Sequence, residues 1–254
     1  MNNLKKIIKT ITRKIGIDVI RYDPNLSNTY LDFDADAKEI IRRVKSYTMT
    51  SPERIYALVQ AVRYISRQKI PGEIVECGVW RGGSMMAVAF SLDKLSDFTR
   101  ELYLFDTFEG MSDPTSDDVD MSGHKAKTLL KKSDKRFHDS VWCIATFKEV
   151  SDALENTFYP KEFIKLIKGK VEDTLPKNAP AKISLLRLDT DWYESTLHEL
   201  THLYPRLVKG GVLIIDDYGY WRGCRKAVDE YFESTKQGIL LNRIDGAGRI
   251  GIKP

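Results

Sequence analysis

The chain has 254 residues, 42% of them hydrophobic and 30% charged, with three cysteines and a formal charge of +4. That length suits one large α/β domain with an elaborated lid and requires no second full domain, and the composition is that of a soluble globular protein. The mild positive balance lies partly in the N-terminal segment and in "KAKTLLKKSDKR". It forms no basic stripe with interleaved aromatic residues, so nucleic acid is not expected as a partner.

The first 22 residues place Leu4, Ile7, Ile8, Ile11 and Ile15 at helical spacing. Lys and Arg interrupt this stretch too often for a signal peptide, and no transmembrane segment is expected in the chain. Such an amphipathic helix suits docking on the domain or on a second copy in a homodimer. An acidic, turn-rich link follows before helical periodicity resumes in "AKEIIRRVKSYT", so residues 1–46 read as an N-terminal helical extension or cap. The stretch "TMTSPERIYALVQAVRYISRQ" then opens with Thr50 and Glu53 at capping-box spacing and Pro52 in the first turn. Cys77, Cys143 and Cys224 have no metal-type spacing and leave an odd thiol. They read as core residues of a cytoplasmic, reducing compartment.

In "GEIVECGVWRGGSMMAVAFSL" a β-rich run, Glu73 to Cys77, passes through Gly78, Arg81, Gly82 and Gly83 into a helix. Glycine serves where a backbone turns sharply or a ligand approaches it closely, and nucleotide-like ligands bind at such strand-turn-helix units. The next strand, "ELYLFDTFEGM", ends in Asp106, and an acid there can accept both ribose hydroxyls of an adenosine-containing cofactor. Residues from about 111 to 140 read as a lid, with His124 and His138 in or near it as solvated side chains. Beyond it, strands alternate with helices, which predicts a mostly parallel sheet with helices on both faces. "GILLNRI" and "GRIGIKP", separated by Asp245-Gly246, close it as an antiparallel hairpin.

The stretch "LLRLDTDWYEST" ends an apolar run in Asp189 and Asp191, and "GGVLIIDDY" ends another in Asp216 and Asp217. Ligands of parallel sheets bind outside the carboxyl ends of the strands, so the two acidic pairs can converge. Four carboxylates together repel one another. A divalent cation with oxygen ligands relieves that repulsion, and a carboxylate outside its coordination shell is free to act as a base.

Taken with "YTMTSPER", "VECGVWRGGS" and "LFDTFEGM", these motifs resemble the macrocin O-methyltransferase family of class I S-adenosylmethionine-dependent methyltransferases, over roughly Tyr47 to Ile252. The resemblance implies a Rossmann-like seven-stranded sheet with an antiparallel last strand, and a methyltransferase domain over 47–254. It implies that Met49, Glu76, Gly78, Arg81, Gly82, Gly83, Ser84 and Asp106 bind S-adenosylmethionine. It also implies that Asp189, Asp216 and Asp217 hold Mg²⁺ and that Asp191 is the catalytic base. One departure is Gly169-Lys170-Val171, where many class I enzymes carry an acid for adenine; Glu172 or Asp173 is the nearest substitute. Members of the family methylate sugar hydroxyls, so the expected acceptor is a sugar-containing small molecule, glycan or nucleotide-sugar. The competing readings are a catechol-type O-methyltransferase, which uses the same diol and metal chemistry, and a non-catalytic partner protein that keeps the fold.

Overall fold

The computed structural model describes Thr12, residues 30–135 and residues 140–254. The amphipathic N-terminal segment, apart from Thr12, and His138 lie outside the described residues. The chain divides into two units, Met1–Asp34 and Ala35–Pro254. Within the first, the Tyr30 and Phe33 rings stack 4.6 Å apart. The second carries the sheet. Among the described residues no helix is long and apolar enough to cross a membrane.

Seven strands build the sheet: β1 (Glu73–Cys77), β2 (Leu102–Asp106), β3 (Ile164–Lys168), β4 (Ile183–Leu188), β5 (Leu207–Ile215), β6 (Asn242–Arg243) and β7 (Arg249–Ile252). Their order is β3-β2-β1-β4-β5-β7-β6. The first five are parallel, and β7 runs antiparallel to both β5 and β6. The final hairpin is therefore antiparallel as expected, with its second strand inserted against β5. From β1 the chain steps outward to β2 and β3, then returns to place β4 on the other side of β1. This reversal opens a crevice at the carboxyl ends of β1 and β4, where a ligand can enter.

Helices cover both faces. One layer includes α1 (Ala35–Val44), α2 (Pro52–Arg67), α3 (Gly83–Lys94) and α5 (Phe147–Glu155); the other includes α4 (Ala126–Lys132), α6 (Val171–Thr174), α7 (Tyr193–Leu203) and α8 (Arg222–Thr235). Alternate strand residues divide between the layers, as the two-residue period of a strand requires. Ile74, Leu104, Leu185 and Ile214 meet Leu58, Val62 and Val88 on one side. Val75, Phe105, Leu186 and Ile215 meet Leu200, Leu203 and Val228 on the other. Burying each large aliphatic side chain stabilises the fold by about 1.5–3 kcal/mol. The sheet is thus apolar on both faces. Two buried charges interrupt it: Glu76 in β1 and Arg187 in β4, which are register neighbours. Such charges persist inside a sheet only when paired.

Two local readings change. The N-cap of α2 is Ser51, whose side chain accepts the Arg54 N–H, so Thr50 and Glu53 do not form the expected capping box. The hydroxyl of Thr50 is left to meet Arg187, 3.0 Å away. A true capping box starts α5, between Thr146 and Glu149. Within the region read as a lid, the chain forms α4 and two isolated bridges, Val119 with Lys125 and Asp120 with Trp221. Buried Asp118 anchors it by accepting the Tyr193 N–H at 2.8 Å and the Thr115 N–H at 2.6 Å. Trp192, which stands at the N-cap of α7, makes no side-chain cap. Asp118 supplies one from the lid.

Candidate active site

At the end of β1 the backbone turns through Gly78 at φ +80° and Gly82 at φ +86°. A Cβ on Gly78 would stand 2.0 Å from the Asp189 carbonyl oxygen, and one on Gly83 would stand 2.5 Å from that of Tyr47. These two glycines therefore admit backbone: Gly78 lets the β4 turn lie against the β1 turn, and Gly83 lets the segment before α2 lie over α3. Asp106, at the end of β2, ties the loop down. Its Oδ2 accepts the Val79 and Trp80 N–H groups at 2.7 and 3.0 Å, and its Oδ1 accepts that of Phe108 at 2.7 Å.

The ends of β4 and β5 are electrostatically different. Carboxylate oxygens of Asp189, Asp191 and Asp217 lie within 4.8 Å of one another. Asp217 lies close to both others, so the three carboxyl groups raise one another's hold on protons. Burial, reinforced by Asp216 and Asp217, holds the Asp189 carboxyl well above the usual carboxylate range despite Arg187. Asp217 is raised likewise, by burial and by Asp191 and Asp216. Asp191 is pushed up to about 7, first by burial and then by Asp189 and Asp216, with Asp217 and Trp221 opposing the rise. Its backbone is left-handed, at φ +67°, a conformation that Asp tolerates better than most residues.

Asp216 faces two guanidinium groups. Its Oδ2 accepts a hydrogen bond from Arg54, and its Oδ1 lies 2.7 Å from Arg187 Nη2 without hydrogen-bond alignment, leaving that buried oxygen with no hydrogen bond. Arg187 also pairs with Glu76 at 2.6 Å and with Asp189 at 2.8 Å. Burial lifts the Glu76 carboxyl to about 7 in spite of this contact. Counting Asp245, which pairs with Arg54, six carboxylates thus surround two guanidiniums, and the donor set left over, oxygen-only and acidic, fits a hard divalent cation such as Mg²⁺.

A cavity of 420 Å³ joins the two ends of the crevice. It gathers Met49, Gly78, Gly83, Ser84, Asp106 and all four aspartates. Glu76, Arg81 and Gly82 do not line it: Glu76 is held beneath by Arg187, Arg81 donates to the Ser46 carbonyl at 3.0 Å, and Gly82 caps α3. Glu172 lines the wall beside Lys170, and Asp173 does not. Of the aromatic residues near the acids, Tyr220 and Trp221 reach the cavity, and Trp192 packs edge-on beneath Trp221 at 4.9 Å. Tyr193 and Tyr218 are tied instead to Glu230 and Asp229. Cys77 and Cys224 are buried as expected, whereas Cys143 is half-buried in the cavity wall. His124 is exposed and pairs with Asp120.

As site residues Arg54 and Arg187 escaped the sequence reading, and Thr50 and Asp245 were read only as a helix cap and a turn signal. Arg187 had a signal, as a lone charge in the apolar run "ISLLRL". A charge that deep needs a partner, yet its partners come from three separate stretches of chain.

A five-stranded parallel sheet closed by an inserted antiparallel strand, with a glycine turn after β1 and an acid after β2, defines the class I methyltransferase fold. Residues 2–250 match the model of the family described as "Macrocin-O-methyltransferase (TylF)", and the chain belongs to that family. It is 29% identical to demethyldecarbamoylnovobiocin O-methyltransferase of Streptomyces niveus, over 91% of this chain and 88% of that one. It is 32% identical to the 8-demethyl-8-(2,3-dimethoxy-alpha-L-rhamnosyl)-tetracenomycin-C 4'-O-methyltransferase of Streptomyces olivaceus, over 85% and 79%. The solved structure of the O-methyltransferase NovP superposes with a TM-score of 0.71 at 29% identity, covering 82% of each chain. The protein is an S-adenosylmethionine-dependent O-methyltransferase.

Proposed function

We propose that the protein methylates a sugar hydroxyl of a glycoside, glycan or nucleotide-sugar, with Mg²⁺ held by Asp189, Asp216 and Asp217 and with Asp191 as the general base. The observation that carries this reading is the convergence of unneutralised carboxylates on the same cavity as the glycine turn. One relative supports the acceptor class through its name, which specifies a methylated rhamnosyl group.

When bound, Mg²⁺ lowers the pKa of a hydroxyl it meets and offsets the charge that develops on the oxygen. The chain's own residues do the rest. Asp189 and Asp217 supply oxygens already close together. Asp216 offers its unbonded Oδ1 while Arg54 holds Oδ2. Asp191, in the cavity wall with a left-handed backbone, accepts the proton as the hydroxyl oxygen attacks the methyl carbon and the C–S bond breaks to release S-adenosylhomocysteine. Gly78, Gly83, Ser84 and Met49 line the part of the cavity assigned to the cofactor, next to the loop that Asp106 fixes. Exposed Tyr220 offers a ring to the apolar face of a sugar.

Replacing Asp191 with Asn tests the base. Turnover should fall by about 10²–10⁴-fold, while calorimetric binding of S-adenosylmethionine stays at the wild-type value. A near wild-type rate would remove Asp191 from that role, and preferential methylation of a catechol would replace the acceptor class.

A further inference from the structure

We propose that Arg54 and Asp245 form a positioning pair that sets the orientation of Asp216 for the divalent cation, an inference that rests on the metal reading above. Neither residue was expected to matter from the sequence. Asp245 lies in the turn between β6 and β7, far from the cation ligands along the chain. It is fixed by four donors: Ser51 Oγ at 2.6 Å, the N–H groups of Ala247 and Gly248 at 2.8 and 2.7 Å, and Arg54 Nε at 2.9 Å. These contacts, with the Arg54 charge, outweigh burial and hold its carboxyl down at about 2, so it is a permanent anion.

The hairpin closes directly on the arginine, since a Cβ on Gly248 would stand 2.7 Å from Arg54 Cδ. With Nε committed to Asp245, Nη1 of the same planar group donates to Asp216 Oδ2 and lies 3.4 Å from the Asp216 carbonyl oxygen. A guanidinium can bridge two carboxylates rigidly because its donors lie in one plane; an ammonium group is a point charge and cannot reproduce that fork. The consequence is a fixed side chain in which Asp216 Oδ2 is occupied and buried Oδ1, 2.7 Å from Arg187 Nη2, accepts no hydrogen bond. Partners of this kind, one step removed from the metal, orient its ligands.

The test is Mn²⁺ binding to the full-length, cofactor-free protein, measured by calorimetry or electron paramagnetic resonance. Arg54→Lys keeps the charge and loses the fork, and Asp245→Asn leaves Asp216 and Arg54 in place but unties the far end. Each should weaken Mn²⁺ by about 10–100-fold, and the double variant should bind no more weakly than the worse single one. Full affinity in Arg54→Lys would show that only charge matters, and full affinity in Asp245→Asn would show that the pair has no positioning role; either overturns the proposal. Binding of S-adenosylhomocysteine reports folding. If a variant fails to fold, Ser51→Ala, which removes one donor to Asp245 without changing charge, decides: weaker Mn²⁺ binding supports the pair and unchanged binding overturns it. A wild-type protein that does not bind Mn²⁺ overturns the metal reading as well, an outcome distinct from variants that bind as the wild type does.

Discussion

At the end of β2, Asp106 is satisfied by three backbone N–H groups, whereas at the ends of β4 and β5 only Asp189 and Asp216 of four aspartates pair with guanidiniums, and the four still repel one another. The first arrangement satisfies a buried acid with backbone dipoles, which rigidifies the glycine turn. The second leaves charge uncompensated beside a cavity, which is costly unless a ligand supplies the missing charge. The contrast separates a half of the crevice whose acid is satisfied as folded from the half that the proposed Mg²⁺ would complete.

The sharpest way to break this contrast is to remove metal. Chelation with EDTA should abolish methyl transfer and added Mg²⁺ should restore it, while S-adenosylhomocysteine binding, which uses the other half, persists. Full transfer in a rigorously metal-free preparation would show that the aspartates need no cation.

Arg187→Met comes next. It strips the partner from Glu76, Asp189 and Asp216 at once, and breaking a buried pair in this way costs about 3–5 kcal/mol. Urea unfolding in EDTA would measure it, and a loss below about 1 kcal/mol would mean that the acids stay protonated without the arginine.

Gly78→Ala probes the seam between the halves. At φ +80°, with the Asp189 carbonyl oxygen 2.0 Å from the new Cβ, the change should cost about 1–3 kcal/mol and weaken both cofactor and metal binding. Weakening of one alone would show that the two turns move independently.

The smallest effect expected is a dependence on pH. Burial pushes Asp191 and Glu76 up to about 7, and Asp189 and Asp217 are raised as well. In the unfolded chain carboxyl groups titrate near about 4. The folded site therefore holds protons more tightly than the unfolded chain, so its contribution to metal-free stability is fully present below about pH 4 and is lost as the pH rises through about 7. The proposed Mg²⁺ would replace those protons. The gain in Tm on adding Mg²⁺ should be near zero in acid and grow across that window, and a gain independent of pH would contradict competition between the cation and protons for these acids.

Much of the site was legible before any fold was known, because its signals are short-range. Gly78 and Gly82 stand where the backbone must turn through positive φ, and Asp106, Asp189, Asp191, Asp216 and Asp217 end apolar runs that could only be strands. Other readings failed locally: Thr50 and Ser51 are adjacent candidates for one cap, and spacing does not choose between them. Arg81 sits inside the cofactor motif but turns outward to the Ser46 carbonyl.

The sequence by itself determined which segments are strands and helices, that their acids and glycines gather at one edge of a parallel sheet, and the family that shares this pattern, since steric and periodic constraints act within a few residues of each other. Which charges neutralise which was decided only by the tertiary structure. Arg187 meets Glu76 because β4 lies beside β1 although 111 residues separate them, and Arg54 meets Asp216 and Asp245 across 162 and 191. Ion pairs form across space rather than along the chain, and the sheet order that closes those distances is a property of the whole fold.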